Sequence, residues 1–175
     1  MYYDNVLMIM RQITNYGIIL FLILLMPMGV SAFSVELVDI SIDQSGDASV
    51  LMQYGLNPVE IGVYHLASAV MDTKGVAKER LEQTFHKTVT IDSLTGEAAH
   101  FTVTKFARID NGTYISPEFR FSDADNLFNE NLMWIKNALS ISFIPKMTVV
   151  NFFDGYSESF PEQGEVPVIW HKPEN

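Results

Sequence analysis

Glu82 and His86 stand four residues apart in "ERLEQTFH", a spacing that puts a carboxylate and an imidazole on one face of a helix, where they could share a metal ion. Two ligands do not make a zinc site, which takes four protein ligands when structural and three when catalytic. The pair reads first as an exposed helix ion pair. "DADNLFNEN", residues 123–131, gathers hard oxygen ligands that suit calcium, with Asp123 and Asp125 leading. The EF-hand spacing fails there: Leu127 takes the third ligand position, Phe128 stands for the required glycine, and Trp134 for the bidentate glutamate. Carboxylates in a first helical turn are already explained by the helix dipole. No metal site is expected, and Glu82, His86, Asp123 and Asp125 are carried forward only as weak candidates. Asp43 and Asp47 flank a turn, and turn chemistry explains them better than a cation does.

Gly155-Tyr156-Ser157 is a near miss for a nucleophile elbow. That elbow needs G-x-S-x-G on a strand-to-helix turn, whereas Ser159 replaces the second glycine and another strand follows. A carboxylate pair for glycoside hydrolysis would meet through the fold, and spacing selects none. Neither a phosphate-cradling glycine loop nor a dinucleotide fingerprint occurs. No catalytic residue and no cofactor is expected. His65 lies off the apolar stripe of its helix, and His100 shares the polar side of its strand with Thr102, Thr104 and Arg108, so both read as surface histidines. Tyr156, Phe160 and Trp170 form an aromatic lead for a sugar or a partner strand, against which core packing is the favoured reading. Asn111-Gly112-Thr113 matches the N-glycosylation acceptor sequence in an expected turn.

Strands must position most of these groups. Ala48, Val50, Met52, Tyr54 and Leu56 alternate with polar residues, the period of a half-buried strand. Phe33 to Asp43 is also strand-like, "DQSGDA" supplies the hairpin turn, and a slip of the apolar phase near Leu37 and Val38 predicts a bulge or two buried faces. "NPVE" starts a helix: Asn57 caps it, Pro58 takes its first position, and Val59, Val63, Leu66 and Val70 give its stripe. Thr73-Lys74-Gly75 is expected to interrupt it, with Ala77, Leu81 and Phe85 marking a second helix or a kinked continuation to about His86. "TVTIDS" and "HFTVTKFARI" are two further strands, and "DNGT" turns the second into "YISPEFRF". There Pro117 marks an edge strand, and Ile115, Pro117, Phe119 and Phe121 face away from Ser116, Glu118 and Arg120. A capping box at Ser122 to Asp125 opens a helix through Phe128, Leu132, Ile135 and Leu139. The chain then returns to strands in "SISFIPK", "MTVVNFF", "YSESF" and "VPVIWHK", with a hairpin across Asp154-Gly155. The expected fold is α+β: roughly eight or nine antiparallel strands, with helices near 58–86 and 123–138 on one face.

The first 32 residues have a different texture. Gly17 to Val30 is an apolar run broken only by Pro27, about the length of a signal h-region and short of a full membrane span. Val30-Ser31-Ala32 offers small residues at the −3 and −1 positions, which predicts cleavage after Ala32. The alternatives are an uncleaved anchor over residues 18–33 and, after it, a buried soluble helix. The two leading readings leave Arg11 inside and residues 33–175 outside as a single domain. The long, poorly charged n-region fits a signal better if Met8 or Met10 is the true start.

The net charge is −10, and all but one of the 11 cations and all but one of the 21 acids follow Ala32. Such a surface repels phosphate backbones and anionic headgroups, so neither nucleic acid nor a membrane surface is an expected partner; membrane contact would come only through residues 18–33. The absence of cysteine excludes disulfides and thiolate zinc sites. The chain looks prokaryotic on these grounds. The expectation is a non-catalytic exported protein that meets a protein or glycan partner at the cell surface. A tethered accessory subunit of an envelope complex is the alternative, and a small secreted hydrolase comes third.

Overall fold

The computed structural model describes residues 33–56, 61, 62, 65, 72–121 and 142–174. The chain divides into two units, Met1–Ser31 and Ala32–Asn175, and the structural description belongs to the second. The segment up to Ala32, the helix start at Asn57-Pro58 with its stripe, and the helix at 123–138 with Asp123 and Asp125 all lie outside the described residues.

Eleven strands and one helix are described, in the order β1 (Ser34–Ile42), β2 (Ala48–Gly55), α1 (Thr73–Phe85), β3 (Val89–Leu94), β4 (Ala98–Val103), β5 (Arg108–Asp110), β6 (Thr113–Ile115), β7 (Phe119–Arg120), β8 (Met147–Phe152), β9 (Ser157–Pro161), β10 (Glu165–Val166) and β11 (Trp170–His171). The fold is β-rich and broadly α+β. A six-stranded sheet runs β3-β4-β2-β1-β8-β9, beside a three-stranded sheet β11-β6-β5 and the pair β10-β7. The large sheet is mixed rather than antiparallel, because β8 lies parallel to β1, with Leu37 opposite Met147 and Ile42 opposite Phe152. Alternation within a strand reports which face is buried; it carries nothing about the direction of a neighbour a hundred residues away.

The β1–β2 hairpin closes through Asp43, whose Oδ1 accepts from Ser45 N, Ser45 Oγ and Asp47 N at 2.7–3.0 Å. Asp47 Oδ1 in turn accepts from Lys105 N at 2.7 Å. Both carboxylates are thus occupied by turn geometry. The bulge falls between Val35 and Leu37. It lets Val35 and Val38, three residues apart, both enter the core with Ile40 and Ile42.

Asp72 caps α1 by accepting from Gly75 N at 2.9 Å. Thr73, Lys74 and Gly75 are therefore its first turn rather than an interruption, and a Cβ at residue 75 would collide with the capping carboxylate. Leu81 and Phe85 pack against the core, Phe85 with ring centroids 6.3 Å from Phe101 and 6.0 Å from Phe106.

Three expected strands are broken. Residues 100–109 split where Lys105 takes φ 53°, so that Phe106 and Ala107 are buried in succession before β5 begins. Residues 114–121 split around Pro117. Ser116, expected to face outward, is only 2% exposed, and its Oγ accepts from Ile169 N at 3.1 Å while its own N donates to Ile169 O. Residues 166–172 split into β10 and β11, and of 140–146 the described part holds only a bridge from Ser142 to Ser34. The hairpins at Asn111-Gly112 and Asp154-Gly155 form as expected, with φ of 50° and 77° at the first pair and 92° at Gly155.

Candidate functional site

One face of the six-stranded sheet is the core, built from Val38, Ile40, Ile42, Val50, Phe101, Val103, Val150 and Phe152. Alternation sends every second residue to the opposite, open face. The registers line these up across the sheet as Thr90, Thr102, Ser49, Ser41, Asn151 and Ser157, one residue from each strand. Each of them is a hydroxyl or an amide. At the usual spacing between strands the row spans roughly 24 Å. The next row is Ser93, His100, Leu51, Asp39, Val149 and Ser159. Between the two rows lies a shallow groove of about 480 Å³ lined by Asp39, Ser41, Ser49, Leu51, Ser93 and His100.

Hydrogen bonds tie the groove together. His100 Nε2 lies 2.8 Å from Ser49 Oγ, and His100 Nδ1 lies 3.8 Å from Asp92 Oδ2. Thr102 Oγ1 donates to the same Asp92 oxygen at 3.2 Å. Asp92 reaches His100 because β3 shifts register between Ile91 and Ser93, which takes Asp92 out of the ladder and re-aims its side chain. On the other side Asp39 Oδ1 accepts from Asn151 Nδ2 at 3.0 Å and from Ser41 Oγ at 3.2 Å. His100 was legible as a residue of a polar strand side. Its partners were not, since Ser49 and Asp92 reach it only through the registers of β2 and β3.

A second cluster sits at the end of the sheet beyond the β8–β9 hairpin. His171 Nε2 lies 2.7 Å from Asp154 Oδ2, and the imidazole stacks on Tyr156 at 4.3 Å with 5° between the planes. The bond from His171, more than the one from Tyr156 N, holds the Asp154 carboxyl below its ordinary range. Tyr156 OH donates to Glu158 Oε1 at 2.6 Å, which pushes the phenol up. Of the three residues in the aromatic lead, Phe160 is core, as favoured, whereas Tyr156 and Trp170 are exposed. They do not share a platform. In β11 Trp170 is opposite Ile115 and His171 opposite Tyr114, so successive side chains send Trp170 away from the face that Tyr156 covers. Trp170 is 67% exposed.

The remaining candidates are structural. His86 ends α1 in the left-handed conformation, and Glu82 accepts from Val89 N at 3.1 Å and pairs with Lys78 at 3.7 Å. Glu82 and His86 form no ion pair with each other among the described residues, so the helix pair expected for them is replaced by a cap and a strand contact. No group of three or more metal-ligating side chains occurs among the described residues. His65 is exposed, Ser157 lies on β9 rather than at an elbow, and Asn111 is exposed at the tip of its hairpin. No family model, curated protein or solved structure matches the chain.

Proposed function

We propose that this is an exported protein that works at or outside the cell envelope by holding a neutral glycan across the open face of its six-stranded sheet. The observation that carries the reading is the cross-strand row Thr90, Thr102, Ser49, Ser41, Asn151 and Ser157. A face that serves solubility alone takes Lys and Glu readily. Short hydroxyl and amide side chains instead let a flat polyol lie close to the sheet and exchange hydrogen bonds along its length. Asp39, Asp92 and His100 are the titratable groups along these two rows and the bulge, and the two carboxylates with a net charge of −10 disfavour an anionic ligand.

Export is supported by the apolar run before Ala32 and by the small residues at its end. Intact mass from native host fractions tests it: a chain beginning at Phe33 in solution agrees with release, and a full-length chain in the membrane fraction supports the anchor over residues 18–33. Affinity electrophoresis through gels containing neutral polysaccharides tests the binding. Retardation should be lost in Ser41→Lys and Asn151→Lys and kept in Trp170→Ala.

Trp170 favours a second reading, a tethered subunit docked on an envelope complex. A large aromatic ring left in water on a small sheet is a common anchor for a protein partner. Loss of a copurifying complex in Trp170→Ala, with glycan retardation intact, would favour that reading.

A further inference from the structure

We propose that Ser49 is a nucleophile toward short acyl esters, with His100 as its base and Asp92 as the positioning residue. This goes beyond glycan binding, and it adds an activity that no sequence motif announces. Three adjacent strands supply the groups: Ser49 from β2, His100 from β4 and Asp92 from the bulge of β3. A bulge is a recurrent way of re-aiming a side chain beside an active site, and here its effect is to bring a carboxylate to the far nitrogen of the imidazole.

The tautomer with its hydrogen on Nδ1 satisfies both neighbours: Nδ1–H faces Asp92, and Nε2 accepts the Ser49 hydroxyl across 2.8 Å. The 3.8 Å separation at Nδ1 is longer than a hydrogen bond, as catalytic contacts often are before substrate binds. The nucleophile, base and orienting group thus stand in the sequence of contacts that acyl transfer uses on unrelated folds.

Ser49 Oγ bonds to the ester carbonyl carbon as its proton passes to His100 Nε2, and the carbonyl π electrons move to oxygen. Ser41 lies directly opposite Ser49 on β1, and among the described residues its hydroxyl makes only a long bond to Asp39, which it can exchange for one to the oxyanion. Collapse breaks the carbon–oxygen bond to the alcohol, which leaves with the proton from His100. Water then gives a proton to His100 and its oxygen to the acyl carbon; the acyl carbon–Ser49 Oγ bond breaks, Ser49 takes the proton back from His100, and the carboxylic acid is released. Among the described residues Leu51 is the one apolar side chain lining the groove, which suits a short acyl group such as acetyl.

The test uses a fluorophosphonate probe and p-nitrophenyl acetate on the full chain, with no glycan present. The expected result is labelling of Ser49 in the peptide map, lost in Ser49→Ala and reduced by about 10²-fold in His100→Gln. Acetate ester turnover should fall in parallel. Asp92→Asn should lower labelling while Asp92→Glu restores it, a rescue that a role in sheet folding alone would not give. Unlabelled Ser49, or labelling and turnover indifferent to His100→Gln, would overturn the proposal; thermal melts of each variant separate this from unfolding. Glycan retardation without Ser49 labelling refutes the catalysis alone, and labelling without retardation refutes the binding alone.

Discussion

His171 and Asp154 are joined side chain to side chain at 2.7 Å, a bond that ties the last strand to the β8–β9 hairpin. Because the bond holds the Asp154 carboxyl below its ordinary value of 3.8, the charged form is favoured by folding. Its contribution is fully present above that value and is lost as pH falls through the lower, folded one. Asp154→Asn should therefore lower the denaturation midpoint at pH 6, and the gap between variant and wild type should close as the pH falls below the ordinary carboxylate value and through the lowered one. Equal gaps at both pH values would remove the bond from the stability of this end of the sheet.

Thr148 is fully buried in β8, and its hydroxyl has no hydrogen-bond partner among the described residues. Replacing it by valine keeps the shape and removes an unsatisfied polar group. Thr148→Val should stabilise the fold by about 1 kcal/mol, seen as a Tm rise of about 2–4 °C in a thermal scan.

Gly46 takes φ 83° in the β1–β2 turn, and an added Cβ would meet Ala107 O at 2.6 Å. Ala107 N also donates to Gly46 O at 2.8 Å, so the two backbones are held together and have little room to move. Gly46→Ala should destabilise by about 1–3 kcal/mol in chemical denaturation. Gly112→Ala, with positive φ but open space around it, should cost less.

These sites show where sequence was informative. The strands around Ala48 to Tyr54 and the hairpins at Asn111-Gly112 and Asp154-Gly155 are local: alternation and turn residues specify them within about ten positions. The bulge at Glu36 was visible as a slipped apolar phase. The failures are non-local. Lys105 breaks a strand because Asp47, from another hairpin, accepts its backbone N–H. Ser116 turns inward because Ile169 offers a backbone pair fifty residues on. The parallel β1–β8 pairing has no local signature, yet it is what sets Asn151 beside Ser41 and so extends the hydroxyl row past β1. His100 was placed on the correct side of its strand, but the groove it lines is made by four strands whose order no single segment encodes.

Glycan binding on the open face is tested most directly by an amide-resolved NMR titration of the protein with neutral oligosaccharides. Saturable shifts at Ser41, Ser49, Thr102 and Asn151, absent in Asn151→Lys, are the predicted result. Shifts confined to residues 168–170, or none with any neutral oligosaccharide, would contradict it.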